Sequence, residues 1–107
     1  MKRGDLVTVA LQGALGKPRP AVIVQATWVD GLKTVTVLLL TSDLTTAQTF
    51  RILVEPTVAN GLMLHSQVMA DKCTTVLQSK VGKMFGHMSD ADMARVDRAL
   101  ALFLGFA

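Results

Sequence analysis

Residues 17–25 read KPRPAVIVQ and combine a charged entrance with a buried-strand signal. Residues 21–24 form a continuous apolar, mostly β-branched run, which is typical of the middle of a sheet. Pro18 and Pro20 fix their own φ angles and favour extended geometry in the residues before them. We therefore expect Arg19 just outside the strand, with its guanidinium placed to meet a phosphate or carboxylate. On spacing alone, such an arginine more often only solubilises a strand end.

The size and composition predict one small domain, residues 1–107, with an unusually apolar surface. Half of the 107 residues are hydrophobic, and the mean hydropathy is +0.43. Because a small domain has much surface, part of this apolar content should stay exposed on a monomer, where a second copy could cover it. The net charge of +3, from 11 Lys+Arg against 8 Asp+Glu, is compatible with a nucleic-acid partner.

The cysteine count and the hydropathy pattern indicate a cytoplasmic protein without a membrane segment. Cys73 is the only cysteine, which excludes an internal disulfide and an all-cysteine metal site and fits a reducing compartment. The apolar run near the N-terminus is interrupted by Thr8 and Gln12, so it does not form a signal-peptide core. No stretch approaches the ~20 apolar residues of a membrane span.

Short apolar segments between turn signals predict five or six strands. Asp30-Gly31 and Asn60-Gly61 are typical turn pairs. The predicted strands are 6–10, 20–26, 34–40, 50–55 and 65–71, with 74–76 continuing the last one past a bulge and 80–87 forming either a short strand or a single turn.

The C-terminal segment predicts an amphipathic helix. Ser89 followed by Asp92 has the spacing of a capping box, and Gly105 is a suitable stop. Apolar residues then recur at helical intervals, namely Met93, Val96, Leu100, Phe103 and Leu104. Several short strands followed by one helix indicate a mainly β protein, a small antiparallel barrel or rolled sheet that the helix covers.

The order of these pieces resembles the MazF/PemK toxin family of type II toxin–antitoxin systems. The resemblance runs collinearly over nearly the whole chain, and no single piece is diagnostic. The matching pieces are Arg3-Gly4-Asp5-Leu6-Val7, Arg19-Pro20-Ala21-Val22-Ile23-Val24-Gln25, Leu40-Thr41-Ser42, Asn60-Gly61-Leu62, Ser66-Gln67-Val68, Ala70-Asp71-Lys72, Thr75-Val76, Lys80-Val81-Gly82, Gly86-His87-Met88-Ser89, Met93, Val96-Asp97, Ala99-Leu100 and Leu104-Gly105.

The resemblance implies a small SH3-like barrel of the CcdB/MazF type that pairs into a homodimer. It implies a toxin that is a sequence-selective endoribonuclease on single-stranded RNA such as mRNA, with no metal or other cofactor. Attack by the RNA's own 2′-hydroxyl would leave a 2′,3′-cyclic phosphate and a 5′-hydroxyl end. A cognate antitoxin protein would block the cleft.

The resemblance also assigns residues to this chemistry. Because the 2′-hydroxyl is the nucleophile, the protein must align the chain and stabilise charge on the phosphoryl oxygens. Arg19 and Thr41 match the family's catalytic pair, and Arg19 suits charge stabilisation because its pKa stays above ~12. The expected RNA-binding residues are Lys17, Gln25, Ser42 and Asp71.

Other roles for these residues remain open from the sequence. Thr41-Ser42 could be a plain strand exit, and Asp71 could be a turn or ion-pair residue. The family's longer loop before the Arg-Pro motif, with a histidine or glutamate credited as acid or base, is replaced by the short segment 12–17, so the general base is unassigned. The alternative function is a non-catalytic, CcdB-like toxin that binds DNA gyrase, and a third is a barrel that only binds proteins or nucleic acid.

Overall fold

The computed structural model describes residues 1–11, 17–45 and 50–106, so most of the predicted loop 12–17 lies outside the described residues. Within them the elements are β1 (Asp5–Ala10), β2 (Pro18–Ile23), β3 (Thr34–Thr41), β4 (Arg51–Val54), β5 (Ser66–Leu77), a 3-10 turn (Gln78–Lys80), β6 (Val81–His87) and α1 (Asp90–Leu104).

The described strands form one antiparallel sheet in the order β4-β5-β3-β2-β1-β6. β4 and β6 are the two edges and do not pair with each other, so the sheet is rolled but not closed. The predicted class, a mainly β protein with a C-terminal helix, is confirmed. The predicted barrel is open between β4 and β6.

Arg19 lies inside β2, and the prediction that it stands just outside the strand is wrong. Arg19 is in register with Val9 of β1, and Pro18 and Pro20 are in register with their own β1 partners. On its other side β2 pairs with β3 only from residue 21 onward. The start of β2 therefore has a free edge, where a proline without an N–H does not break a ladder.

β2 also ends earlier than predicted, at Ile23 rather than at residue 26. The backbone N–H groups of Val24 and Gln25 both point to Thr36 O, at 3.2 and 3.4 Å. The Gln25 side chain in turn accepts a hydrogen bond from Thr36 N at 3.2 Å. A side-chain amide thus replaces the next rung of the ladder, which periodicity cannot reveal.

The later strands follow the predicted pattern closely. β5 is one strand of 12 residues, and the predicted bulge is confirmed by the register shift between the pairs Leu38↔Cys73 and Leu40↔Val68. The segment 80–87, for which the sequence allows either a short strand or a single turn, contains the end of the 3-10 turn and all of β6.

The predicted C-terminal helix is confirmed with its caps. Ser89 Oγ accepts a hydrogen bond from Asp92 N at 3.1 Å, and Gly105 ends the helix with a left-handed φ of 85°. The buried face of α1 joins the larger apolar cluster on one side of the sheet through Met93, Val96 and Ala99. No helix in the described part of the chain is long and apolar enough to cross a membrane.

Candidate active site

A cleft of about 500 Å³ lies where β2 begins and β3 ends, beside the loop between β4 and β5. These strand ends are neighbours because β2 and β3 run antiparallel. Arg19 and Thr41, the predicted catalytic pair, both line this cleft, together with Ser42. The full lining consists of Thr8, Arg19, Pro20, Leu40, Thr41, Ser42, Gly61, Leu62, Met63, Leu64, Ser66, Lys83 and Phe85.

The polar groups of the predicted pair are available to a ligand. The exposed side chain of Arg19 makes no hydrogen bond or ion pair with any residue that the structure describes. Thr41 Oγ1 accepts a hydrogen bond from Asp43 N at 3.0 Å. Because a hydroxyl has one donor and two acceptor sites, this contact leaves the Thr41 O–H free to donate.

The cleft carries positive charge without compensation. Lys83 of β6 is a second cation on its wall, and like Arg19 it has no acidic partner among residues 1–11, 17–45 and 50–106. None of the described lining residues is an aspartate or glutamate. A concave site with charge of one sign attracts a polyanion.

One wall of the cleft is apolar and comes from the loop between β4 and β5. Met63 is 92% exposed and Leu64 is 63% exposed, and half-buried Phe85 of β6 lies beside them in the lining. The buried Asn60 shapes this loop. Its Oδ1 accepts hydrogen bonds from Thr57 N at 2.9 Å and from Leu62 N at 3.0 Å, and its Nδ2 donates to Glu55 O at 2.8 Å.

Two glycines let this loop lie directly on the backbone of β6. Gly61 has a left-handed φ of 67°, and a Cβ there would stand 2.3 Å from Phe85 O. A Cβ on Gly86 would stand 2.0 Å from Asn60 O. Side chains at either position are therefore excluded by the contact that fixes the apolar wall.

The other predicted RNA-binding residues lie outside the cleft lining. Lys17 is exposed just before β2, whereas Gln25 is held by Thr36. Asp71 receives two hydrogen bonds from Arg51, from Nε at 2.9 Å and from Nη2 at 3.1 Å. Burial would raise the pKa of Asp71, but the hydrogen bonds and charge of Arg51, together with a backbone hydrogen bond and the charge of Lys72, hold that pKa below its usual value.

A second paired carboxylate lies at the start of β1. Asp5 is 3% exposed, and its Oδ1 contacts His87 Nδ1 at 2.8 Å. Burial would raise the pKa of Asp5, but the hydrogen bond from Lys2 N and the contact with His87 together lower it. The described residues contain no group of three or more His, Cys, Asp and Glu that could hold a metal ion.

Sequence reasoning missed the part of the cleft that comes from β1, β6 and the β4–β5 loop. Thr8 is a weak sequence indication of a cleft residue, since a polar side chain interrupts an apolar strand there. Lys83 and Phe85 lie in the segment 80–87, whose pattern fits either a strand or a turn. The exposed side chains of Met63 and Leu64 follow an ordinary turn pair. The register of the sheet brings the β1 and β6 residues to Arg19, and the contact of the loop with β6 brings residues 62–64.

The sequence profile of the PemK-like, MazF-like toxins of type II toxin–antitoxin systems matches residues 2–104. The chain belongs to this family. It is 46% identical over 108 residues to the probable endoribonuclease MazF of Mycolicibacterium smegmatis, covering 100% of this chain and 99% of that one. It is 28% identical over 114 residues to endoribonuclease MazF9 of Mycobacterium tuberculosis, covering 97% and 96%.

Solved structures of similar proteins share the fold of this MazF-like chain. An endoribonuclease in complex with its cognate antitoxin, from a mycobacterial species, superposes with a TM-score of 0.85 at 23% identity, covering 100% of this chain and 97% of that one. Mycobacterium tuberculosis toxin MazF-mt6 gives a TM-score of 0.81 at 22% identity, covering 94% and 96%. At these identities the likeness supports the fold alone.

Proposed function

We propose that this MazF-like chain is a toxin of a type II toxin–antitoxin system, acting as an endoribonuclease on single-stranded RNA such as mRNA. Family membership and the endoribonuclease relatives support this activity. The main structural observation behind the proposal is that Arg19 and Thr41 line one cleft. This cleft has two cations and, among its described lining residues, no carboxylate. The CcdB-like gyrase alternative is not favoured, because the relatives are endoribonucleases.

In the proposed reaction the RNA supplies its own nucleophile. The 2′-oxygen loses its proton and bonds to the adjacent phosphorus, the bond from phosphorus to the 5′-oxygen breaks, and that oxygen takes a proton. The products are a 2′,3′-cyclic phosphate and a 5′-hydroxyl end. Arg19 would stabilise the charge that builds on the phosphoryl oxygens, and the free O–H of Thr41 would donate to one of them. Ser42 would bind the same phosphate, and the group that removes the 2′-proton is unassigned.

The remaining RNA-binding predictions have weaker structural support. Lys17 would extend the positive surface from the mouth of the cleft along the strand that carries Arg19. Gln25 and Asp71 are already held by Thr36 and Arg51, so we expect them to support the fold around the site before they touch RNA.

The activity is tested by incubating purified protein with a long RNA in EDTA and mapping the cut ends. We expect discrete cuts with 5′-hydroxyl ends, lost in Arg19→Ala and reduced at least tenfold in Thr41→Val, which keeps the β-branched shape without the hydroxyl. Asp30→Asn, an exposed acid outside the cleft lining, is the control and should cut like the wild type. RNA left intact by the wild type, with gyrase–DNA complexes trapped instead, would support the CcdB-like alternative.

We further propose that the chain is a homodimer through the end of α1. Successive helical residues lie about 100° apart, yet Leu102, Phe103 and Leu104 are each about half exposed, and Phe106 is 82% exposed. The helix end therefore keeps apolar surface that the protein's own core does not cover and that a second copy would cover. Sedimentation should show a dimer at micromolar concentration, weakened by Phe106→Asp but not by Val58→Asp at another exposed position. A wild-type monomer would contradict this.

We also propose that residues 1–107 act as one toxin domain and that the protein works in the cytoplasm. Its protein partner would be a cognate antitoxin. An acidic, extended antitoxin segment would match the positive cleft and exclude RNA from it. Antitoxin added to the protein should therefore release a bound RNA oligonucleotide. Inhibition of cleavage that leaves RNA bound would contradict the cleft-blocking mechanism.

A further inference from the structure

β6 departs from regular pairing where it passes the cleft. Val7 of β1 is in register with Met84, and Val9 is in register with Val81. β6 thus uses one more residue than β1 over this interval, which is the signature of a β-bulge. Bulges re-aim side chains, and this one lies at Lys83.

The bulge is fixed by two contacts with Thr8. Lys83 N donates a hydrogen bond to Thr8 Oγ1 at 3.0 Å. At the preceding position a Cβ on Gly82 would stand 2.6 Å from the same oxygen, so a residue with a side chain does not fit there without a shift. Glycine at position 82 and a hydroxyl at position 8 together specify the path of the backbone that carries Lys83.

The same threonine lies between Lys83 and the strand that carries Arg19, the proposed catalytic arginine. Thr8 is in register with Pro20 of β2, next to Arg19, and it bonds to Lys83 of β6 on its other side. β1 lies between β2 and β6, so the backbones of Arg19 and Lys83 are two strand spacings apart, about 10 Å. Side chains that long can reach two neighbouring phosphates of one strand or converge on one.

We propose that Lys83 is the second RNA-binding cation of the cleft lining, beside Arg19, and that it holds a phosphate next to the scissile one and so sets the position of the strand in the cleft. The proposal rests on the proposed endoribonuclease function and adds a residue to its site. Lys83 lines the same cleft as Arg19 and has no acidic partner in the described part of the chain. As a flexible point charge, a lysine suits a phosphate that is bound but not transformed.

Binding is measured with an RNA oligonucleotide that carries a 2′-deoxy sugar at the mapped cut site and cannot be cleaved. We expect Lys83→Ala to raise its Kd about tenfold and to reduce the slope of log K against log salt by about 0.7, the value for one phosphate contact on a single strand. Lys83→Arg should restore both. Lys80→Ala is the matched control, because Lys80 is exposed three residues earlier and does not line the cleft.

Cleavage kinetics separate positioning from chemistry. Lys83→Ala should act mainly on KM, whereas Arg19→Ala should act mainly on kcat. Thr8→Val should weaken binding in the same direction as Lys83→Ala, because it removes the acceptor that fixes the bulge. An unchanged Kd and salt slope in Lys83→Ala, with cleavage still abolished by Arg19→Ala, would overturn this proposal alone. A wild type that neither binds nor cuts RNA would overturn the proposed function with it.

Discussion

Substitution of Asp71 by asparagine distinguishes a structural role of this residue from contact with RNA. Asp71 and Arg51 lie on the neighbouring strands β5 and β4, and their side chains are 16% and 15% exposed. Two charge-assisted hydrogen bonds join them in a bidentate arrangement. Asparagine keeps the shape of the side chain but removes the charge that matches the guanidinium.

The size of the effect follows from this geometry. Hydrogen bonds to charged groups contribute about 1.5–3 kcal/mol, and a largely buried Arg51 would lose its counter-charge. We therefore expect Asp71→Asn to lower the free energy of unfolding by about 2 kcal/mol, equivalent to about 10 °C in Tm for a domain of this size. Arg51→Gln should cost about as much, and the double variant should cost less than the sum of the two.

The pH dependence gives a second measure of the same contact. The pKa of Asp71 is lowered from its ordinary value of 3.8, so the folded state binds this proton less readily than the unfolded state does. The stabilisation is fully present above the ordinary value and is lost as the pH falls through the lowered one. The difference in stability between wild type and Asp71→Asn should therefore be constant from pH 7 to about pH 5 and shrink below pH 4.

Urea unfolding across this pH range provides the assay, with RNA cleavage measured at 20 °C where both proteins are folded. Asp30→Asn is the control, since Asp30 is exposed and makes no ion pair with the described residues. Unchanged stability together with a tenfold or larger loss of kcat/KM would refute the structural argument and make Asp71 a contact to RNA.

Two further substitutions test how the elements around the cleft are fixed. Gly86→Ala places a Cβ 2.0 Å from Asn60 O. It should lower the free energy of unfolding by about 3 kcal/mol, measured by thermal or urea unfolding. A Tm within 2 °C of wild type would show that the loop is not fixed by this contact. Ser89→Ala removes the acceptor for Asp92 N and should cost about 1 kcal/mol. Ser89→Asp, which retains a capping oxygen, should restore most of that stability, and an Ala variant as stable as wild type would contradict the cap.

The sequence was sufficient for elements whose signals are local. The helix with its caps follows from residues 89–105, and β3 follows from residues 34–40 almost to the residue. The boundaries of β2 were not predictable in this way. Its start depends on β3 being absent beside Pro18 and Pro20, and its end depends on the Gln25 side chain bonding to a residue of another strand.

The residues of the candidate site also fall into two groups, those with a local sequence motif and those placed by contacts between distant strands. Arg19, Thr41 and Ser42 come from motifs that resemble a family, and the structure brings all three to one cleft. Lys83 has no motif of its own, because its position depends on a bulge in β6 and on a hydroxyl of β1. A residue placed by register between distant segments has no signature in the spacing along the chain.

The loop between β4 and β5 links the stability of the sheet to the shape of the cleft. β6 is an edge strand, and an uncovered edge invites pairing with other chains. The loop covers part of that edge, with His87 N donating to Ala59 O at 2.9 Å, and the close contact of Gly61 with Phe85 continues the cover. The next residues of the same loop, 62–64, form the apolar wall of the cleft. A substitution that lifts the loop from β6 therefore exposes an aggregation-prone edge and removes the apolar wall of the cleft in the same step.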